Sequence, residues 1–270
     1  MRLHRFNEWL SESIKTLNQR ELFQWLEQRA DATWIFLDTE TTGLRGPREE
    51  QLTQVAAVAY RYDPQTMGFE EIDHFNEKCR LNPEILAQLD APGSRIRDVF
   101  KFTRYEINQE EYRDEQEVLD ALQGFVDQWG KVVLLIQNAP FDIPMINVRK
   151  RLGGLRHEIF DTKEFYAYFL LPTLQRLAET EPDAAAILQT IGTTASGRVP
   201  TSSLPKVAGG LGISAEGAHD ALFDCRYGIE VLQKALQIVR EHSDLDLKAY
   251  RVPRISVDRH IKLKNKGYRP

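Results

Sequence analysis

Apolar positions along the chain fall into two periods, and the places where one gives way to the other outline an alternating α/β protein. Short apolar runs at 33–37, 52–62, 68–81, 131–137 and 157–161 read as five strands. The second and third form a hairpin turned at Asp63-Pro64-Gln65-Thr66. Helical spacing appears in two pieces over 5–29: Phe6, Trp9, Leu10, Ile14 and Leu17, and then Leu22, Phe23, Trp25 and Leu26 behind a capping-box start at Asn18 and Glu21. This segment is expected to pack on a sheet edge. Further helices are expected at about 115–129 and 140–152, where Pro140 or Pro144 suits a first turn, and in an aromatic stretch (Phe165, Tyr166, Tyr168, Phe169) followed by an Ala-rich one. Residues 82–114 read as loop with short helices, and Gly192 to Pro200 as a polar loop that could border a groove. A long amphipathic helix opens over Gly217 to Asp224 and continues through Leu222, Tyr227, Ile229, Val231, Leu232, Leu236 and Val239.

Chemistry enters where the apolar runs end. Thr33-Trp34-Ile35-Phe36-Leu37 runs into Asp38-Thr39-Glu40-Thr41-Thr42-Gly43. Strand alternation puts Asp38 and Glu40 on one face, at the edge of the hydrophobic layer. Two carboxylates side by side repel unless a cation sits between them, and hard oxygen donors select Mg²⁺ or Mn²⁺. Asp142 follows the fourth strand, in a strand-to-helix junction. His219 and Asp224 are five apart, so on a helix of 100° per residue they stand about 140° apart, with the histidine at the helix mouth and the aspartate in its second turn.

Three motifs, taken in order, carry a resemblance. They are Phe36-Leu37-Asp38-Thr39-Glu40-Thr41-Thr42-Gly43-Leu44, Asn138-Ala139-Pro140-Phe141-Asp142, and His219 with four residues between it and Asp224. Together they resemble the DEDDh branch of the DnaQ-like 3′→5′ exonucleases, the family of the proofreading subunit of bacterial DNA polymerase III. The chain departs from the pattern at Gln137, where the family usually has histidine, and in a long insertion between Asp142 and His219.

The resemblance implies a ribonuclease H-like mixed five-stranded sheet flanked by helices. It spans an exonuclease unit at 31–245, between an N-terminal helical extension (1–30) and a basic C-terminal tail (246–270). It also implies two Mg²⁺ ions, with Mn²⁺ able to substitute, held by Asp38, Glu40, Asp142 and Asp224, with Asp38 bridging. His219 would take the proton of the attacking water. Backbone around Thr39 to Thr41 would meet the terminal nucleotide, Leu44 would wedge against its base, and Phe141 would stack nearby. Asp161 and Glu164 lie close by, and Asp161 is read as structural. The implied activity is removal of nucleotides from a nucleic-acid 3′ end, single-stranded DNA first, in replication or repair and with a polymerase as a possible partner. An RNA-trimming exonuclease is the alternative, and an inactive scaffold for a polymerase is a third reading.

Composition changes this picture in one respect. The formal charge of −5 is uneven: residues 251–270 carry seven basic side chains against Asp258, a balance of +6, which leaves the other 250 residues at −11. An acidic body disfavours a strong grip on duplex but suits a site neutralised by cations, and the tail is a candidate contact for nucleic acid. Cys79 and Cys225 form neither a disulfide framework nor a zinc-ligand pattern. With no long apolar stretch and no basic-then-apolar leader, no membrane span or signal peptide is expected, and a cytoplasmic location is.

Overall fold

The structure is a computed structural model that describes residues 14, 17–89, 94–149, 155–197, 199–247 and 249–250. The first helical piece expected over 5–17 and the basic tail from 251 onward lie outside the described residues, Ile14 and Leu17 excepted.

Five strands form one mixed sheet in the order β3-β2-β1-β4-β5: β1 (Thr33–Thr41), β2 (Leu52–Asp63), β3 (Gly68–Lys78), β4 (Val132–Ile136) and β5 (Glu158–Asp161). The hairpin strands β2 and β3 run antiparallel to each other, and β2 runs antiparallel to β1, whereas β4 and β5 continue parallel to β1. This is the mixed α/β architecture expected of a ribonuclease H-like fold. The helices are α1 (Gln19–Glu27), α2 (Pro83–Leu89), α3 (Ile96–Thr103), α4 (Glu115–Asp127), α5 (Ala139–Arg149), α6 (Thr162–Phe165), α7 (Leu171–Leu177), α8 (Pro182–Ile191), α9 (Leu204–Gly210) and α10 (Ala221–Glu241). Among the described residues no helix is long and apolar enough to cross a membrane.

Alternation along β1 divides the core in two. Trp34 and Phe36 face one layer, with α1, the 165–177 helices, α8, α9 and α10, while Ile35 and Leu37 face the other, against α4 and α5. Residues 81–112 build a small third cluster from Leu81, Ile85, Phe100, Tyr105 and Tyr112. The capping box on α1 is present: Asn18 accepts from the Glu21 amide and Glu21 accepts from the Asn18 amide. The helix buries Leu22 and Leu26, sets Trp25 edge-on to Trp34, and ties Arg29 to Glu158 at the start of β5. It therefore packs on the sheet, as its apolar face requires.

The aromatic stretch is core, but it is not a plain α-helix. Tyr166–Leu170 widens into a π-turn, with the Leu171 amide bonding back to Tyr166 O. Pro172 has no N–H, and its ring would press on the carbonyl four residues earlier, so a wider turn ahead of it relieves both problems. Helix α9, over a stretch for which the sequence pattern predicts no element, is also present.

How closely α10 can approach β1 is set by Gly228. A Cβ there would lie 2.6 Å from Phe36 Cζ, and Phe36 is wholly buried and cannot swing aside. Cys225, one turn earlier, puts Sγ 3.7 Å from Ala56 O. Gly228→Ala is expected to destabilise the fold by about 1–3 kcal/mol through overpacking, despite alanine's better helix propensity. Urea denaturation checks this, and a variant as stable as the parent would mean that the contact relaxes freely.

Candidate active site

Strand β1 outruns β4. Their last pair is Leu37 with Ile136, after which β1 continues to Thr41 with only β2 beside it. Asp38 and Glu40 leave the sheet there, continuing the face of Trp34 and Phe36 toward α10. The register with β2 shifts between Glu40 and Thr41, a bulge at the strand end that carries the acids.

Helix α5 begins beyond the end of β4 and brings Asp142 in its first turn, where the side chain is only 3% exposed. Thr39 points to the α5 side of the sheet, and its hydroxyl donates to Asp142 Oδ1 at 2.6 Å. The junction is fixed by Asp161, whose carboxylate accepts from the amides of Asn138 (3.2 Å), Ala139 (3.0 Å), Lys163 (2.9 Å) and Glu164 (3.3 Å). Asp161 thus holds the starts of α5 and α6 together, the structural role expected of it. Pro140 occupies the first turn of α5. Pro144 sits inside the helix, where it cannot bond to the Pro140 carbonyl.

The third motif departs from the helical-wheel expectation. Helix α10 starts at Ala221, with Asp220 as N-cap accepting from the Phe223 amide at 3.0 Å. His219 therefore precedes the helix, in a left-handed conformation with φ 71°, and no helical angle relates it to Asp224. It stands at the helix mouth all the same, while Asp224 lies in the first turn, not the second. The His219 amide donates to Asp224 Oδ2 at 3.2 Å, and Asp224 Oδ1 is buried and accepts no hydrogen bond. Ligand atoms of Glu40, His219 and Asp224 all lie within 4.8 Å of one another.

Burial raises the proton affinity of all four acids, and repulsion among them adds to it at Asp38 and Glu40. Burial, and then repulsion from Asp142, Asp224, Glu40 and Asp220, holds Asp38 well above the usual carboxylate range. Burial followed by repulsion from Asp224 and Asp142 pushes Glu40 up to about 8. Burial moves Asp142 to about 7 against the opposing hydrogen bond from Thr39, and Asp224 to about 7 against the bond from the His219 amide. A set of clustered oxygen donors, one of them buried with an unused lone pair, fits a hard divalent cation. Among the described residues the ligand atoms gathered closely enough to share one are those of Glu40, Asp224 and His219, while Asp38 and Asp142 are near enough to be felt by charge.

Of the residues expected at substrate, Leu44 is 83% exposed, in the loop after β1, while Phe141 is half-buried against the α4 and α5 layer. The side chains of Thr39 and Thr41 are buried and bonded to Asp142 and to Gly43 O. A Cβ at Gly43 would meet the Glu50 carboxylate at 2.6 Å and have to displace it from the Thr42 hydroxyl, which donates to it. The 192–200 loop closes on itself by an antiparallel bridge between Thr193 and Pro200. Gln137, at the position where the resemblance expects histidine, donates to Ser202 O and accepts from Thr162, fastening the chain after that loop to the end of β4. Two residues were missed from sequence, Gln54 and Gly228. The one available signal for Gln54 was a lone amide inside the apolar run Leu52 to Tyr60.

No protein-family model and no curated protein sequence matches the chain. Among solved structures it is similar in shape to Exonuclease I of E. coli in complex with a dA16 oligonucleotide, with 16% identity and a TM-score of 0.46 over 78% of this chain and 42% of that one. It is also similar to cell-death related nuclease 4, with 17% identity and a TM-score of 0.45 over 76% of this chain and 64% of the other. The chain thus spans less than half the length of the first. At this distance the activity of those proteins says nothing of this one, and the side chains themselves have to carry the functional reading.

Proposed function

We propose that the chain is a divalent-metal-dependent 3′→5′ exonuclease, with residues 31–245 as its catalytic unit and single-stranded DNA as its preferred substrate. What carries this reading is the clustering of Asp38, Glu40, Asp142 and Asp224, from one strand and two helices, with ligand atoms of Glu40, Asp224 and His219 within 4.8 Å of one another and Asp224 Oδ1 buried without a partner. Mg²⁺ or Mn²⁺ held by the four acids would supply Lewis-acid chemistry, making water more acidic and stabilising a departing oxygen. His219 takes the proton of the water that attacks the last phosphodiester. The 3′ oxygen of the penultimate nucleotide leaves and is reprotonated, and a 5′ mononucleotide is released. The backbone of Thr39 to Thr41 seats the terminal nucleotide, and the exposed Leu44 and the half-buried Phe141 offer apolar contact that tolerates any base.

The acidic body favours an unpaired end over a duplex. Matched DNA and RNA single strands carrying a 5′ label, incubated with Mg²⁺, should show stepwise shortening from the 3′ end, faster for DNA. A 3′ phosphate should suppress it. Equal cutting of 3′-phosphorylated strands would contradict the polarity, and faster cutting of RNA would move the reading to RNA trimming.

A further inference from the structure

We infer that Gln54 is a positioning residue for this site, one that sets where the start of α10 stands relative to Glu40. Gln54 is 2% exposed and lies on β2 directly opposite Glu40 in the β1–β2 ladder, so the two side chains share a face. Its amide makes three hydrogen bonds. Nε2 donates to Asn76 Oδ1 at 2.9 Å and to Asp220 Oδ2 at 3.2 Å, and Oε1 accepts from the Ala221 amide at 3.2 Å.

The chemistry of the partners fixes which way the amide points. The Ala221 N–H can only donate and the Asp220 carboxylate can only accept, so one end of the Gln54 amide must be oxygen and the other nitrogen. Asp220 is itself the N-cap of α10, and the residues on either side of this grip are His219 and, in the first turn, Asp224. The group whose ligand atoms gather within 4.8 Å draws Glu40 from β1 and His219 and Asp224 from the α10 end. Gln54 ties β2, and through the ladder β1, to the start of α10 by hydrogen bonds to Asn76, Asp220 and the Ala221 amide. Bonds at 2.9–3.2 Å in a buried setting define a position closely. A displacement of about 1 Å of catalytic groups can cost on the order of a hundredfold in rate.

This inference rests on the nuclease reading, and its test separates the two. Gln54→Glu sets a second carboxylate against Asp220 and removes both donors. Adding Asp220→Asn restores a donor facing an acceptor, keeps an oxygen to cap Phe223 and leaves the net charge unchanged. Each single variant is expected to lose roughly tenfold or more in kcat, with KM for a single strand little altered, and the double variant should regain most of the loss. Gln54→Leu should weaken Mn²⁺ binding measured by calorimetry without nucleic acid. Wild-type kcat and Mn²⁺ affinity in the single variants, or a double variant no better than the worse single, would overturn the role. A parent chain that binds Mn²⁺ but cuts no nucleic acid would sink the nuclease reading instead, and the Mn²⁺ affinity of Gln54→Leu would then decide the clamp by itself.

Discussion

Asp38→Asn is expected to lower metal-dependent cleavage by roughly 10²–10³-fold or more while making the metal-free protein more heat-stable at pH 8. Both effects come from one arrangement. Asp38 faces Asp142, Asp224, Glu40 and Asp220, and burial and these neighbours together favour its protonated form. In the unfolded chain the same acids titrate near 4, whereas in the fold Asp142 and Asp224 sit at about 7 and Glu40 at about 8. An acid whose folded pKa is raised contributes stability that is fully present below its unfolded pKa and is lost as pH rises through the folded one. Without metal, the melting temperature should therefore fall between pH 5 and pH 8. Mg²⁺ should recover it, and by more at pH 8, because protons no longer compete for the oxygens. A hundredfold excess over Kd corresponds to about 2.7 kcal/mol, which is roughly 5–11 °C for a chain of this size. Asp38→Asn removes one of the repelling charges and should flatten the pH dependence. Calorimetric scans at pH 5.5 and 8, with and without Mg²⁺, measure all of this. A metal-free melting temperature that rises with pH would mean that the acids are already compensated by other groups.

The parts legible in the sequence were those set by local rules. Alternation placed Asp38 and Glu40 on one face, the Asp63 to Thr66 turn made the β2–β3 hairpin, and Asn18 with Glu21 started α1 where a capping box should. The missing parts depend on neighbours distant in sequence. Asp220 is a good N-cap residue by local rules, but nothing near it announces that its second oxygen is held by Gln54, 166 residues away. Gly228 reads as a weak spot in a helix until Phe36 is seen beneath it. Both contacts join residues far apart in the chain, so no local pattern signals them.

His219→Gly is expected to slow the chemical step by roughly 10²–10⁴-fold while leaving Mn²⁺ affinity within a few fold of the parent. Glycine is the cleaner deletion because residue 219 has φ 71°. Alanine there would keep a Cβ in the left-handed conformation that histidine already holds at a cost, whereas glycine adopts it freely. Glycine keeps the amide that donates to Asp224 Oδ2 where it is and removes the imidazole. The ring is exposed, yet its nitrogen comes within 4.8 Å of oxygens of Glu40 and Asp224, a position that suits either a base for the attacking water or a direct metal ligand. The two roles part in the measurement. If His219 is the base, single-turnover cleavage collapses and calorimetric Mn²⁺ binding persists; if it is a ligand, both fall together. Should His219→Gly retain the full rate while His219→Ala loses it, the histidine would matter only for the turn it occupies, and Asp220 would become the group to test as the base.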